Sequence, residues 1–373
     1  AAGYVAPPEC AESTGKNIAV VGGGPGGLSA AYFLQLMGHQ VTVYEMLPKL
    51  GGMLRYGIPN YRLPKERLDD DIQAILDTGV KVDCGKAIGK DYSIVDLKEK
   101  YDAVLITIGA STDKKLGLEG EDAKGVISAV QFLRNVGHGT QESLEGKEVA
   151  VIGGGNVSMD AVRTSVRLGA KKVSIVYRRR VADMTALSDE ISGAEAEGVE
   201  IKTLMAPSRI EKDEEGNVKG IWVTPQMISN IKGGRASVKP TGEDDVFIPC
   251  QTLIVAIGQD IEYQHFEEAG VPVQRGKINV EKFGGFEEMP GVFAGGDCAT
   301  GPSTVISAIA AGKVIAANID EYLGYHHEIT ADVEIPEPKL EDKPACGRVN
   351  LTEREAGERV KDFEGVENCM TEK

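Results

Sequence analysis

Hydrophobic and polar positions follow the same order in two separate parts of the chain. Residues 17–45 contain an apolar run (NIAVV), a glycine-rich turn (GGGPGG), a segment with helical spacing and a second apolar run (QVTVYE). Residues 147–178 repeat this order as KEVAVI, GGGN, VSMDAVRTSVRLG and KKVSIVYR. Each copy predicts a strand, a helix and a second, parallel strand, which together form a βαβ unit. The duplication predicts an α/β fold with two Rossmann-like dinucleotide-binding domains.

Further apolar runs extend both predicted sheets. Residues 68–85 (LDDDIQAILDTGVKVDCG) indicate a helix that leads into a strand, and residues 101–110 (YDAVLITIGA) indicate an apolar strand that ends in glycine. Residues 252–259 (TLIVAIGQ) form the matching strand of the second unit. The charged residues 211–247 predict an antiparallel excursion with EEGN at its turn. Residues 289–324 predict a strand, a glycine-rich turn and a long helix.

Length, charge and cysteine content narrow the class of protein. A chain of 373 residues favours more than one domain, because single cores rarely grow beyond about 250–300 residues. The formal net charge of −16 is not expected of a nucleic-acid-binding protein, which presents a basic face. Without a long apolar run or a signal-peptide pattern, we expect a cytoplasmic protein that does not contact a membrane. The six cysteines include no CxxC pair, which argues against a redox dithiol and a zinc ribbon.

The first glycine-rich turn has the spacing of a dinucleotide-binding loop. Gly22, Gly24 and Gly27 permit a tight turn, close approach of the backbone to a pyrophosphate, and close packing of helix on strand. The following helix, expected to begin near Leu28, directs its free amides at the phosphates. Glu45 ends the second strand, where a carboxylate accepts hydrogen bonds from ribose hydroxyls and repels a 2′-phosphate. This unit is therefore expected to bind a nucleotide with a free 2′-hydroxyl.

The second glycine-rich turn carries Gly153, Gly155 and Ser158 at the same three positions, and serine is small enough for close packing. Aligning VTVYE with SIVYR places Arg178 opposite Glu45, so that a guanidinium replaces the carboxylate. An arginine can pair with a 2′-phosphate through charge-assisted hydrogen bonds. The second unit is therefore expected to prefer NADP(H).

Two nucleotide sites of these kinds indicate a flavoenzyme that holds FAD and is reduced by NADPH. Hydride transfer between nicotinamide and flavin needs no acid or base from the protein. The sequence contains no Ser–His–Asp, HExxH or paired-carboxylate pattern, so we predict no catalytic side chain and no metal site. His326 and His327 are interpreted as surface residues rather than metal ligands, and Cys298 as a packing residue.

Four segments of the chain together resemble the small, NADPH-oxidising subunit of glutamate synthase. The same module recurs in dihydropyrimidine dehydrogenase and in the large subunit of the electron-bifurcating NADH-dependent ferredoxin:NADP oxidoreductase. The segments are LGGMLRYGIPNYRLPKE (50–66), VIGGGNVSMDAVRTSVRLGA (151–170), VYRR (176–179) and GVFAGGDCATGPSTVISAIAAGK (291–313), with a weaker match at 347–367. The resemblance implies a fold of the pyridine-nucleotide-disulfide-reductase type, in which an NADPH domain is inserted into a discontinuous FAD domain.

The expected boundaries follow from this order of motifs. They are an N-terminal arm (1–15), the first part of the FAD-binding domain (16–125), the NADPH-binding domain (126–275), the second part of the FAD-binding domain (276–330) and an extended C-terminal tail (331–373).

The resemblance also implies which residues bind each nucleotide. For FAD they are Gly22, Gly24, Pro25, Gly26 and Gly27 at the pyrophosphate, Glu45 at the adenosine ribose, Gly52, Leu54 and Arg62 along the flavin, Gly109 at the end of its strand, Gly296 and Asp297 at the ribityl–phosphate part, and Thr304 and Val305 at the pyrimidine side of the flavin. For NADPH they are Gly153, Gly155, Asn156, Val157, Arg178 and Arg179, with Ala256, Ile257 and Gly258 near the nicotinamide.

The chain departs from this family pattern in two respects. The family begins with a cysteine-rich iron–sulfur region that this sequence lacks, and VYRR is followed here by VADMTAL (181–187) instead of an MPAR-like segment. We therefore expect the module to pass electrons to an iron–sulfur or flavin protein partner, or to come from a longer cluster-bearing polypeptide. Two other functions stay open, a thioredoxin-reductase-like disulfide reductase and a non-catalytic nucleotide-binding subunit. The absence of CxxC disfavours the disulfide reductase.

Overall fold

Helices and strands alternate along most of the chain, and the computed structural model describes residues 4–281, 284–329 and 351–368. The first part contains β1 (Asn17–Val21), α1 (Pro25–Leu36), β2 (Gln40–Glu45), α2 (Met53–Tyr56), α3 (Lys65–Leu76), β3 (Lys81–Cys84), α4 (Ile94–Lys100), β4 (Ala103–Ile106) and β5 (Thr112–Asp113). The middle part contains β6 (Val126–Ser128), α5 (Ala129–His138), β7 (Glu148–Ile152), α6 (Asn156–Arg167), β8 (Lys172–Tyr177), α7 (Ser188–Ala196), β9 (Glu200–Thr203), β10 (Met205–Lys212), β11 (Val218–Lys232), β12 (Arg235–Pro240), β13 (Val246–Pro249), β14 (Thr252–Val255) and β15 (Gln259–Asp260). The last part contains α8 (Gln264–Glu268), β16 (Val273–Gln274), β17 (Lys277–Ile278), β18 (Val292–Ala294), α9 (Asp297–Thr300), α10 (Val305–Tyr322) and α11 (Ala356–Arg359).

A parallel five-stranded sheet with the order β18-β4-β1-β2-β3 contains the first βαβ unit. Its inner strands read as continuous apolar runs because both faces of the sheet are covered. On one face α1 and α10 pack closely, and a β-carbon added at Gly312 of α10 would lie 2.3 Å from the carbonyl oxygen of Gly26. Strand β18 joins this sheet through β4, although the whole second sheet separates the two strands in the sequence.

A second parallel five-stranded sheet, with the order β6-β14-β7-β8-β9, contains the second βαβ unit. One face packs against α5, α6 and α7, and the other packs against an antiparallel sheet formed by β10, β11, β12 and β13. The antiparallel excursion predicted for 211–247 is this smaller sheet. The predicted α/β fold with two Rossmann-like units is confirmed.

Two element boundaries differ from those expected from the sequence. Helix α1 begins at Pro25 rather than near Leu28, since the fixed φ of proline suits the first turn of a helix. Strand β4 ends at Ile106 rather than at Gly109, which has a positive φ of 66°. The residues between Ile106 and Gly109 therefore leave the sheet and are free to line a site at its edge.

Residues 351–368 connect the two halves of the molecule, the first half being built around the sheet of β1 and the second around the sheet of β7. The amide of Val366 donates to the carbonyl oxygen of Tyr61 (3.0 Å) in the first half. Arg359 in α11 donates to Glu197, which follows α7 in the second half, at 2.7 Å. Of the tail expected over 331–373, residues 331–350 and 369–373 lie outside the described residues. Within the described ranges, no helix is long and apolar enough to span a membrane.

Candidate functional site

A cavity of about 310 Å³ lies at the carboxyl ends of the strands of the first sheet. Ligands of parallel α/β sheets bind at this edge, and small-molecule sites usually measure about 300–1,000 Å³. Of the residues predicted to bind FAD, nine line the cavity: Gly22, Gly24, Pro25, Gly26, Glu45, Gly52, Gly109, Gly296 and Asp297. Sequence segments that lie far apart are therefore brought to one site.

The first glycine loop can pack this closely only because Gly22 and Gly27 lack side chains. A β-carbon added at Gly22 would lie 2.5 Å from the carbonyl oxygen of Thr107, and one added at Gly27 would lie 2.0 Å from that of Gly22. Gly24 precedes the first turn of α1, where no side chain caps the helix. The first-turn amides of a helix have no partner within the helix, and they attract an anion. The loop thus fits a pyrophosphate.

Glu45 binds the glycine loop as well as lining the cavity. Its two carboxylate oxygens accept hydrogen bonds from the amides of Gly23 and Leu47, each at 2.8 Å. Burial raises the pKa of the Glu45 carboxyl above its ordinary value, and these two amides oppose the shift. The carboxylate is thereby held at the edge of the cavity, where it can accept further hydrogen bonds from hydroxyl groups.

Arg134 of α5 is a cation at the same cavity that no sequence motif indicated. One terminal nitrogen, Nη2, donates to the carbonyl oxygen of Ser111 at 3.0 Å. Its Nε is buried and has no hydrogen-bond partner among the described residues. Because Arg134 brings a positive charge to the cavity lining, it and the glycine loop fit a pyrophosphate-containing cofactor. Tyr56, Lys86 and Phe266 also line the cavity without having been predicted.

Asp297 begins the short helix α9 directly after Gly296, whose φ is 72°. Burial raises the pKa of the Asp297 carboxyl, while the amide of Ser303 opposes the shift. Asp297 lines the cavity after β18, which is the edge strand of the first sheet and lies two strands from β1. It can therefore accept a hydrogen bond from a polyol such as a ribityl chain.

Five residues predicted to bind FAD do not line the cavity: Gly27, Leu54, Arg62, Thr304 and Val305. Gly27 allows α1 to pack closely on the residues of β1 and the glycine loop, and Leu54 packs against the core of the first half. Thr304 caps α10 by accepting a hydrogen bond from the amide of Ser307 (3.2 Å), and Val305 follows it. Arg62 binds Asp160 at 2.9 and 3.0 Å and Glu190 at 2.8 Å, so it joins the two halves.

The second glycine loop is built like the first, but the residues that follow Arg178, Arg179 and Arg180 cover it. A β-carbon added at Gly153 would lie 2.3 Å from the carbonyl oxygen of Ala256. The amides of Thr185 and Ala186 donate to the carbonyl oxygen of Gly154 at 3.0 and 3.1 Å. The Asn156 side chain accepts from the amide of Leu187 at 3.0 Å. Segment 184–187, which departs from the family pattern, therefore lies directly on this loop.

The remaining residues predicted to bind NADPH lie around the same loop. Val157 packs in the first turn of α6 against the core of the second half. Strand β14 ends at Val255, so Ala256, Ile257 and Gly258 lie beyond the sheet, and Gly258 has a φ of 137°. The side chain of Ile257 is 42% exposed, which leaves an apolar surface beside the loop.

Strand register corrects the alignment of Glu45 with Arg178. Val21 and Ile152 each directly precede the glycine loop of their unit. Val21 pairs with Tyr44 in the first unit, and Ile152 pairs with Val176 in the second. The counterpart of Glu45 is therefore Tyr177. The second unit has three residues (170–172) between its glycine and its strand valine, and the first unit has two (39–40). Matching Val41-Thr42-Val43 with Val173-Ser174-Ile175 would have revealed this extra residue.

The three consecutive arginines have different environments. Arg180 forms a bidentate ion pair with Asp183 through Nε (2.8 Å) and Nη2 (2.9 Å). Arg179 donates from Nε to the carbonyl oxygen of Ala236 at 2.9 Å. Arg178 is exposed, and no hydrogen bond or ion pair within the described part of the chain involves it. Arg178 and the terminal nitrogens of Arg179 are therefore available to an anion.

Cys298 is fully buried beside the cavity, and its thiol donates to the carbonyl oxygen of Gly295 at 3.2 Å. Burial raises its pKa to about 12, so the reactive thiolate does not form near neutral pH. No cysteine of the described ranges lines the cavity.

Comparison with known proteins identifies the family. Residues 16–312 match the pyridine nucleotide-disulphide oxidoreductase family. The chain belongs to this family. Within it, the chain is 34% identical over 328 residues to the small chain of glutamate synthase [NADPH] from Escherichia coli, which covers 84% of this chain and 70% of that protein. The resemblance to the glutamate synthase small subunit, recognised from four motifs, is confirmed.

Other members of the family are similar over much of this chain. The beta subunit of NADP(+)-dependent formate dehydrogenase from Moorella thermoacetica is 39% identical over 372 residues, covering 96% of this chain and 52% of that protein. The chain thus spans about half the length of this relative. FprA from Mycobacterium tuberculosis in complex with NADPH shares the fold, with a TM-score of 0.71 at 21% identity over 83% of this chain and 85% of that one. FAD and NADP(H), the cofactors expected from the sequence, are those of this family of oxidoreductases.

Proposed function

We propose that this chain takes a hydride from NADPH onto bound FAD and passes the electrons to an iron–sulfur or flavin protein partner. Several relatives are named as subunits, among them the beta subunit of NADPH-Fe(3+) oxidoreductase from Geobacter sulfurreducens. This relative is 34% identical to the chain, which spans 53% of its length. Similarity to subunits of oxidoreductases supports the proposal that the protein is an electron-transferring subunit.

The observation that carries the proposal is the pairing of two unlike glycine loops in one molecule. The first loop is bound by the buried carboxylate of Glu45, which suits a ribose with free hydroxyls. In the second unit, Arg178 follows strand β8, and its guanidinium is exposed and unpaired within the described residues. A cation there suits the 2′-phosphate of NADP(H). One site for FAD and one for NADP(H) are what hydride transfer between the two requires.

The geometry supports a role for each of these residues. For FAD, we assign the pyrophosphate to the first glycine loop and Arg134, the adenosine ribose to Glu45 and the ribityl chain to Asp297. For NADPH, we assign the 2′-phosphate to Arg178 and Arg179. The domain boundaries expected from the sequence are kept as part of the proposal, because β18 completes the first sheet after the second has been built.

When bound, the flavin supplies the redox chemistry, accepting a hydride and releasing single electrons. The protein's own residues bind and orient the two nucleotides and form the cavity at the first glycine loop. Ser111 and His265 both line the cavity, but no hydrogen bond joins their side chains, and no cysteine among the described residues lines it.

A disulfide reductase is the main competing enzyme. Thioredoxin reductase from Thermoplasma acidophilum shares the fold with a TM-score of 0.60 at 19% identity. Such a reaction requires a dithiol beside the flavin, whereas Cys298 is a single buried thiol with a pKa of about 12. This observation favours electron transfer to a partner over disulfide reduction. A non-catalytic subunit is disfavoured by a cavity that retains the polar groups for a cofactor.

The test is an acceptor assay with the FAD-loaded chain under anaerobic conditions. NADPH is expected to drive reduction of a one-electron acceptor, with ferricyanide and a low-potential ferredoxin as probes, and a disulfide such as oxidised thioredoxin is not expected to be reduced. Rapid reduction of the disulfide without reduction of ferredoxin would support the competing enzyme. A chain that binds no FAD would overturn both.

A further inference from the structure

Two histidines and an aspartate meet at the end of the molecule opposite the cofactor cavity. His39 lies between α1 and β2, at the amino end of the first sheet's strands, while the cavity lies at their carboxyl ends. Asp320 lies in the last turn of α10, and His327 follows that helix. Nε2 of His39 is 2.8 Å, and Nδ1 of His327 is 2.7 Å, from the same carboxylate oxygen, Oδ1 of Asp320.

This cluster is buried more deeply than a surface ion pair. The side chains of His39 and Asp320 are 0% and 2% exposed, and only His327, at 30%, reaches solvent. Of the two histidines interpreted as surface residues, His326 is exposed and His327 is partly exposed. Among the described residues no lysine or arginine pairs with Asp320, so its buried charge is balanced by the two imidazoles alone or by a bound cation.

Surrounding residues hold the imidazoles in a fixed orientation. Nδ1 of His39 is 2.7 Å from the hydroxyl oxygen of Thr14, and the Tyr325 hydroxyl donates to the carbonyl oxygen of Thr14 at 3.0 Å. The Tyr325 ring stacks on His327, with ring centres 5.7 Å apart and planes inclined by 17°. The amide of His327 donates to the second carboxylate oxygen of Asp320 at 2.8 Å. A hydrogen bond to the outer nitrogen of a histidine is typical of metal ligands.

We propose that His39, Asp320 and His327 bind a divalent transition-metal ion, best Zn²⁺. The three ligand atoms all lie within 4.8 Å of one another, so an ion at about 2.0–2.2 Å from each requires only a small separation of the side chains. Two imidazoles select Zn²⁺ over Ca²⁺ and Mg²⁺, which prefer oxygen ligands. The exposed side of His327 leaves the fourth position open to water. The ion would join the N-terminal arm, the turn before β2 and the end of α10.

This inference is independent of the proposed function, because the site lies away from the cavity and serves stability rather than electron transfer. The neighbouring histidines provide a matched pair of variants. His327→Ala removes one ligand, whereas His326→Ala removes an exposed imidazole whose described partner is Glu321. Since His327 is partly exposed, neither change opens a deep cavity, and both variants are expected to fold.

The experiment measures Zn²⁺ binding to the full FAD-loaded chain after removal of metals with a chelator. Calorimetric titration is expected to show one tight site that is retained in His326→Ala and weakened at least about 100-fold in His327→Ala, a loss of one ligand being more severe than the ~10–100-fold loss of an outer-shell partner. Zn²⁺ is expected to raise the melting temperature of the parent chain and of His326→Ala only. Co²⁺ is expected to give the intense visible bands of a tetrahedral site. Absence of saturable binding in the parent chain, or equal affinity in His327→Ala, would show that the cluster is only a hydrogen-bonded His–Asp–His group.

Discussion

Glu45 and Tyr177 occupy equivalent positions in the two βαβ units, each lying against the second glycine of its loop. A β-carbon added at Gly23 would lie 3.0 Å from Oε2 of Glu45, and one added at Gly154 would lie 2.7 Å from Cε2 of Tyr177. The carboxylate that binds the first loop is therefore replaced in the second by a buried ring, whose hydroxyl donates to the carbonyl oxygen of Asp183 at 2.8 Å.

We propose that this difference between the units determines which nucleotide each loop accepts. A buried carboxylate repels a 2′-phosphate, whereas a neutral ring followed directly by an exposed arginine does not. The preference for NADP(H) thus has two parts, the loss of the acid at position 177 and the gain of a cation at position 178.

Arg178→Ala is predicted to raise the KM for NADPH by about 10- to 100-fold and to leave that for NADH nearly unchanged. A charged hydrogen bond contributes about 1.5–3 kcal/mol, and NADH lacks the 2′-phosphate that would form it. Steady-state kinetics with both nucleotides check this. Arg180→Ala is the matched control, because its guanidinium already pairs with Asp183. Equal losses for NADH and NADPH in Arg178→Ala would contradict the assigned role.

Arg134→Ala is predicted to weaken FAD binding about 10-fold or more, because it removes a cation that lines the cavity. FAD release can be followed by flavin fluorescence during dilution. Arg67→Ala removes an exposed arginine of α3 and is expected to retain FAD like the parent chain. FAD retention by Arg134→Ala equal to that of this control would show that Arg134 does not bind the cofactor.

Glu197→Gln is predicted to destabilise the folded chain by about 3–5 kcal/mol. This carboxylate is buried and binds three arginines, Arg163 (2.8 Å), Arg167 (2.6 Å) and Arg359 (2.7 Å). Arg163 and Arg359 keep Glu190 and Glu353 as partners, whereas Arg167 has no other ion pair among the described residues and would be left without compensation. Chemical denaturation measures the loss. Glu200→Gln, which removes an exposed partner of two lysines, is expected to cost less than about 1 kcal/mol. Similar losses in both variants would mean that the buried network does not stabilise the junction of the halves.

Stability at the same junction is predicted to depend on pH through Asp160. Burial raises its pKa to about 6 although Arg62 opposes the shift. The folded state therefore binds more protons than the unfolded state between about pH 4 and 6, and stability from this group falls as the pH rises through that range. The full change is up to about 3 kcal/mol. The unfolding free energy of Asp160→Asn minus that of the parent chain should accordingly increase from pH 4 to pH 7, and a constant difference would contradict this.

The sequence predicted both sheets and the first cofactor loop because these depend on local patterns. Apolar runs, glycine spacing and a terminal acid lie within one βαβ unit and determine its geometry. Helix α1 and the antiparallel sheet could be predicted for the same reason. The alignment of Glu45 with Arg178 was wrong by one residue because the identical tyrosines outweighed the extra residue before Val173, which the hydrogen-bonding register makes explicit.

Contacts between distant segments could not be predicted in this way. Arg62 lies in a motif associated with the flavin, yet it pairs with Asp160 and Glu190 because the folded chain brings two buried carboxylates to it. Arg134 belongs to no motif, and its place at the cavity results from the packing of α5 against α2. His39 and Asp320 are separated by most of the chain, so no spacing rule could join them.

The central claim is that NADPH reduces a flavin held without a redox dithiol. Its most direct test is an anaerobic titration of the FAD-loaded chain with NADPH, following the flavin absorbance in the parent chain and in Cys298→Ser. One NADPH per FAD should bleach the flavin completely in both. Uptake of a second equivalent by the parent chain but not by Cys298→Ser, or no bleaching at all, would contradict the account.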